Sequence, residues 1–351
     1  VQEMTFPISF CLPASEVYGA GAPSLRAFGD PGTTEQFALP KYAYIFLVFN
    51  LKNDRPADIR YFEWKNEDAI TDDDDFTWEE VQVSSAAYGV NEGDLIRVCN
   101  KKITEQTPVL GQVESCHLYA AVSDVALTLK NGATTIDASH VPTTEAAVQG
   151  ITFTVNDALQ PHLQNIYSTP YNYQPDGSHY YCSLNIWRDA PTYNIMLYHV
   201  ASKVDLMWNV PEDKQGAVKV TEVKVKNLFE GDAYLFKHTA NTHTMFTGEG
   251  AEPNGYTPAT SLAGNVAGDV AGTWWAGRAY LYTIPYKAID KDNRFPVQVD
   301  FSLKNVSADV TYTKSLTLTM TPPEVFAPWL RMQFTVSSAP TANSSETKNL
   351  D

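Results

Sequence analysis

Arg26-Ala27-Phe28-Gly29-Asp30-Pro31-Gly32-Thr33-Thr34-Glu35-Gln36-Phe37-Ala38-Leu39-Pro40-Lys41-Tyr42-Ala43-Tyr44-Ile45-Phe46-Leu47-Val48-Phe49 is the stretch on which the fold turns. Its first part is polar and full of turn residues. Residues 41–49 then carry aromatic and aliphatic side chains on both alternating faces. A strand of that kind must be covered on both sides, so it predicts a central strand inside a core.

The segment before it has another character. Met4, Phe6, Ile8, Phe10 and Leu12 alternate without a break, which is the period of a strand with one buried face. Pro7 cannot donate to a ladder, so the reading is an edge strand, ended by Pro13. Residues 13–40 form a long loop rich in Gly, Pro, Ala and Ser. Arg26 is the only basic residue between Val1 and Lys41. Exposed tips made of small residues are where proteolysis concentrates.

The rest of the chain continues in strands. The first half predicts them at residues 59–64, 76–83, 95–99, 117–129 and 147–155. Short strands separated by turn signals suggest a sandwich or barrel. Near residue 200 the register resets: Val204, Leu206, Trp208 and Val210 alternate with Asp205, Met207 and Asn209. The domain boundary is placed there, with residues 1–198 before it and residues 199–338 after it. Val218 and Val220 lie one residue out of phase with Val223 and Val225, which predicts a bulge near Thr221-Glu222. Further strands are expected at 233–237, 278–284, 297–303, 310–320 and 329–336. That makes seven in the second half and about as many in the first. Residues 339–351 are polar and lack apolar alternation, so they read as a disordered tail.

Composition bounds the function. The chain has 351 residues, 44% of them hydrophobic, enough for two cores. Its Thr, Val, Tyr and Phe suit pleated, half-buried surfaces. No apolar run is long enough to span a bilayer. A net charge of −16 argues against nucleic acid, because phosphate binding needs clustered Lys and Arg. The four cysteines, Cys11, Cys99, Cys116 and Cys182, form no CxxC and read as buried thiols, with a Cys99–Cys116 pair as the alternative. The chain begins at Val1 without an initiator Met, which reads as a removed leader or a trimmed start.

No enzyme is expected. There is no GxSxG, P-loop, HExxH or dinucleotide fingerprint, and no cofactor is called for. His238 and His243 are not placed on a helix, so the usual metal geometry is not delivered. Asp72, Asp73, Asp74 and Asp75 read as a solvated acidic turn, with a Ca²⁺ site as the alternative. Tyr171, Tyr173, Tyr180 and Tyr181 lie in an aromatic, proline-punctuated stretch at 156–195. They read as pins holding a long connection to the sheet, with a sugar-stacking surface as the alternative. Of Trp274 and Trp275, one is expected in the core and one at an interface. Asn305-Val306-Ser307 and Asn343-Ser344-Ser345 match the N-glycan triplet, a frequent chance pattern.

Phe28-Gly29-Asp30-Pro31-Gly32, followed by Leu39-Pro40-Lys41-Tyr42 and an apolar strand, resembles surface proteins of the Bacteroidales fimbrillin superfamily. His199-Val200-Ala201-Ser202-Lys203-Val204-Asp205-Leu206 resembles the segment that opens their second domain. Gly277-Arg278-Ala279-Tyr280-Leu281-Tyr282-Thr283-Ile284-Pro285 resembles their late strand. The resemblance implies two tandem transthyretin-like, Greek-key β-sandwiches and lipoprotein export to the outer-membrane surface. It also implies assembly into pili, or anchoring of them, with other pilus subunits or further copies of the chain as partners. In pilin members a protease cuts after an arginine between the first two strands, and a neighbour's strand replaces the one that leaves. The resemblance puts Arg26, with Ala27 after it, at the processing site. It makes Met4, Phe6, Ile8, Phe10 and Leu12 the exchangeable pocket fillers. The chain begins after the place a lipobox cysteine would take, and the polar C-terminus does not look like a donor strand, which speaks against a polymerising shaft subunit and keeps anchor, tip and accessory roles open. The rival expectation is a surface carbohydrate-binding protein using the aromatic patch.

Overall fold

The computed structural model describes residues 2–12, 38–65, 77–84, 92–93, 95–156, 158–169, 182–187, 192–226, 231–236, 262–263, 275–284, 298–308, 310–318, 329–336 and 338–350. Their regular structure is almost entirely strand, arranged in five sheets.

The sheet holding the N-terminal segment runs β12 (Tyr193–Met196), β1 (Gln2–Leu12), β5 (Leu95–Thr107), β4 (Glu79–Gln82). Against it lies the sheet β13 (Tyr198–His199), β10 (Tyr167–Ser168), β6 (Val113–Ser123), β2 (Tyr42–Leu51), β3 (Asp58–Lys65), with β11 (Cys182–Ser183) also on β6. The residues that follow 200 supply two more sheets. One is β18 (Ala276–Thr283), β14 (Ser202–Asn209), β21 (Trp329–Thr335). The other is β17 (Leu262–Ala263), β15 (Val218–Lys226), β19 (Gln298–Asn305), β20 (Thr311–Leu318), β22 (Ser344–Leu350). The fifth sheet is β16 (Gly231–Tyr234), β9 (Thr152–Val155), β7 (Leu129–Asn131), β8 (Thr134–Thr135).

β2 is buried on both faces, and its two faces serve different cores. Ala43, Ile45, Leu47 and Phe49 enter a cluster shared with β1, β5 and β6. Tyr44, Phe46 and Val48 enter a larger one with Tyr119, Phe153, Trp208, Val220, Phe236 and Phe301. The period of two delivers this division directly, since neighbouring residues point to opposite sides. β16 pairs with β9, although the sequence between them spans the predicted boundary near residue 200. Gly231 opens β16 at φ 126, an angle L residues rarely adopt.

Several expectations need correction. β1 is flanked on both sides and is not an edge strand. Its ladder with β12 begins at Ile8, one residue past Pro7, so the missing N–H falls beyond that pairing. β6 starts at Val113 and stops at Ser123, rather than running from 117 to 129. The expected strand at 147–155 begins as a short helix, α1 (Glu145–Gln149), capped by Thr144 accepting from the Ala147 N–H at 3.1 Å. The strand proper starts only at Thr152. The expected disordered tail contains β22, which pairs in parallel with β20 from Tyr312↔Ser344 to Leu318↔Leu350. An added edge strand is held by backbone ladders and needs no apolar alternation, so hydrophobic periodicity does not mark it. The bulge near Thr221-Glu222 is found, as a register shift between Val220 and Glu222.

Candidate functional site

The site with the most construction behind it is the groove that β1 fills. On one side β1 runs antiparallel to β5, from Gln2↔Thr107 to Leu12↔Arg97. On the other it runs parallel to β12, from Ile8↔Tyr193 to Cys11↔Met196, and Leu197 N–H extends the ladder to the Cys11 carbonyl at 2.9 Å. Phe6, Ile8, Phe10 and Leu12 are buried, and Met4 is half-buried against the same cluster. Their floor is the inner face of β2 and β6, including Leu47, Leu118 and Ala120. The Phe10 ring meets Trp64 edge-on, centroids 6.3 Å apart, and Lys101 Nζ lies 5.4 Å from the Trp64 ring.

Each such apolar side chain contributes about 1.5–3 kcal/mol by leaving water. Backbone pairing supplies binding along the strand, and alternate pockets fix its register. The other face of β1 is open at Glu3 and Thr5 and closes towards the strand's C-terminal end. Ser9 and Cys11 are buried, and the Cys11 thiol sits 3.5 Å from the Ser9 carbonyl. Burial pushes that thiol up to about 11, although its Ser9 contact works the other way. Burial likewise lifts Cys99, on β5, to about 11. Cys99 and Cys116 are both buried, with no disulfide between them.

Other sequence-singled residues fall elsewhere. Arg26, Ala27, Asp72, Asp73, Asp74, Asp75, Tyr171, Tyr173, Tyr180, Tyr181 and Trp274 lie outside the described residues, as do His238 and His243. Trp275 is half-buried: its indole N–H donates to the Gln215 carbonyl at 3.1 Å, and its own carbonyl accepts from Val210 N–H. Within the aromatic stretch, Tyr167 is buried against His199 with ring centroids 4.4 Å apart, and Tyr193 donates to the Asn185 carbonyl at 2.8 Å. Those two tyrosines act as pins, while Trp187 stands exposed. The Asn305 side chain donates to the Pro340 carbonyl and accepts from Ser307, so the first glycan triplet's amide is already engaged. Among the described residues, no group of three or more His, Cys, Asp or Glu could hold a metal ion.

One cluster escaped the sequence reading. Glu145 accepts from Asn50 Nδ2 at 2.6 Å and Tyr119 O–H at 2.7 Å, and its Oε1 lies 2.5 Å from His117 Nδ1. Gln149 donates to the Tyr119 hydroxyl at 2.9 Å. Burial works against the charged carboxylate, but the bonds from His117, Tyr119 and Asn50 win and hold Glu145 below the usual glutamate value. The network clamps α1 onto the face of β2 and β6 turned away from the first strand's groove, beside the Tyr119 cluster. Thr144 followed by Glu145 is a helix-start signal that could have located it.

No family model matches the chain, and no curated protein matches it. A fimbrial assembly protein from Parabacteroides distasonis matches in structure at 12% identity and TM-score 0.41, over 95% of this chain and 92% of its own. The tip fimbrial protein Mfa3 from Porphyromonas gingivalis matches at 10% identity and TM-score 0.36, over 90% of this chain and 82% of its own. Among the other solved structures that the chain matches is one described as a putative cell adhesion protein from Bacteroides eggerthii, at 11% identity and TM-score 0.39, over 88% of this chain and 78% of its own.

Proposed function

We propose that the chain is a non-catalytic, adhesive cell-surface subunit of the fimbrillin kind, joined to other pilus subunits or to its own copies by strand exchange. The observation that carries this reading is the placement of β1. The first strand of the chain lies between β5 and β12 and puts Phe6, Ile8, Phe10 and Leu12 into a core whose remaining walls come from other strands. A strand placed so, once the chain is cut after it, could leave as a unit and be replaced by an equivalent one. The sequence resemblance adds the rest: two tandem transthyretin-like sandwiches at 1–198 and 199–338, cutting after Arg26, and a lipid anchor at the outer membrane. In this reading β16 reaches back from the second unit to pair with β9.

The test is arginine-specific proteolysis of the folded protein, followed by electrophoresis without boiling. Cutting after Arg26, loss of the N-terminal segment and SDS-resistant ladders are expected. First cutting elsewhere, or retention of the segment with no ladder, contradicts the proposal.

A further inference from the structure

At one end of the paired sheets, two loops, the β2–β3 connection and the one after β11, meet on the short turn between β5 and β6. Lys52 Nζ donates to the Gly111 carbonyl at 2.9 Å. Arg55 Nη2 donates to Gln112 Oε1 at 3.0 Å. Trp187 Nε1 donates to the Leu110 carbonyl at 3.4 Å. Two side chains from different loops are thus held on consecutive carbonyls, and Arg55 on the next residue. The backbone ties the same loops, with Lys52 N–H on the Gln112 carbonyl at 2.9 Å. Asn53 and Asp54 turn the β2–β3 connection at φ 63 and φ 53, both in the left-handed region. That is the paired geometry of a tight hairpin turn.

What these anchors present is unusual for the chain. The Trp187 indole is 48% exposed and Val109 is 52% exposed. Beside them stand two cations. Among the described residues, Arg60, Lys65, Arg97, Lys130 and Lys214 each have a carboxylate within ion-pair distance; Lys52 and Arg55, like Lys41, Lys102 and Lys314, have none, Asp54 included, but only Lys52 and Arg55 stand as a pair on one turn. Each anchoring bond uses one N–H, so both groups keep further donors for a ligand. In a chain of net charge −16, an unneutralised cation pair beside an oriented, half-bare indole is a local reversal of character.

We propose that this tip binds an acidic carbohydrate. The indole face packs on the C–H face of a sugar ring, and Lys52 and Arg55 take its carboxylate by charge-assisted hydrogen bonds. Among the described residues the exposed apolar part is one ring and one valine, too little for a stable protein interface, which buries upwards of about 1,000 Å². The overall negative charge disfavours a polyanion as long as a nucleic acid. The ligand-facing residues Lys52, Arg55 and Trp187 are not part of the β1 groove cluster, so the site stands whether or not β1 exchanges.

The experiment is calorimetric titration of the full chain with a hexamer of galacturonic acid at low salt. Controls are the carboxyl-reduced hexamer and a hexaglutamate peptide. Saturable binding to the acidic sugar is expected, weaker by about tenfold or more with the reduced sugar, with Trp187→Ala and with the Lys52→Gln/Arg55→Gln pair. Trp187→Tyr should restore most of the affinity, and thermal midpoints should hold, because the substituted side chains are exposed. Absence of binding, binding indifferent to Trp187→Ala, or equal binding of hexaglutamate overturns the proposal.

Discussion

The first and last strands of the chain make an instructive pair. β1 alternates apolar residues and sits inside its sheet, with one face in a core. β22 has a polar sequence, lies at the edge of its sheet and runs parallel to β20, with Ser344, Ser345 and Glu346 exposed. Both are terminal strands held by long ladders, yet side-chain burial adds to the backbone pairing in β1 and adds nothing at those exposed positions of β22. A ladder alone places a strand, while a ladder with filled pockets also fixes its register and resists its loss.

Substitutions can break that contrast. The largest effect is expected from Phe10→Ala, which removes a fully buried ring from the centre of β1. It should cost about 3–5 kcal/mol in urea unfolding, as cavity-forming core changes do. A loss under about 1 kcal/mol would mean that the groove is not packed around β1.

Glu145→Gln comes next. The carboxylate that clamps α1 on the far side of β2 and β6 is replaced by an amide that cannot accept from all three donors, with a loss of about 1.5–3 kcal/mol at pH 7. The pH dependence has a definite sign. Because the folded Glu145 lies below its unfolded value, its contribution is complete above the unfolded value and disappears as pH falls through the folded one. The stability gap between the native chain and Glu145→Gln should therefore be full at pH 7 and closed in strong acid. A gap independent of pH contradicts this.

Truncation after Ala342, which removes β22, should cost only about 1–2 kcal/mol, because ladder bonds are exchanged for bonds to water. The smallest effect belongs to Tyr312→Phe. It removes one exposed O–H bond to Glu346 Oε2, 2.5 Å long, and should cost under about 1 kcal/mol. If truncation of β22 proved as damaging as Phe10→Ala, the contrast between the two strands would vanish.

The same contrast explains what the sequence disclosed. β2 was legible because residues 43–49 carry apolar groups on both faces, and a double cover is the only arrangement that hides them. β1, β14 and β19 were legible by alternation. β22 was not, because an exposed edge strand leaves no mark in hydrophobic periodicity. Nor was the two-sided pairing of β1, since Pro7 argued for an edge and only the register with β12 shows that its missing donor is harmless there. The return of residues 231–234 to β9 is a long-range pairing that no local pattern encodes. At the site, the pocket fillers were visible as a period of two. The Glu145 network was hidden because Asn50, His117, Tyr119 and Glu145 come from three separate elements. The tip at Trp187 was hidden for a similar reason: its cations sit in a turn far away in sequence.

Cys11 provides the most direct reading of the central claim, because its thiol rides on β1 and is buried there. Alkylation of Cys11 at pH 8, followed by mass spectrometry, should be slower than in unfolded chain by on the order of a hundredfold. After arginine-specific cleavage and removal of the N-terminal segment, a synthetic peptide of residues 1–12 should bind the trimmed protein one to one, with its Cys11 protected again. Rapid alkylation in the intact protein, or a peptide that stays unprotected beside the trimmed chain, would contradict the account.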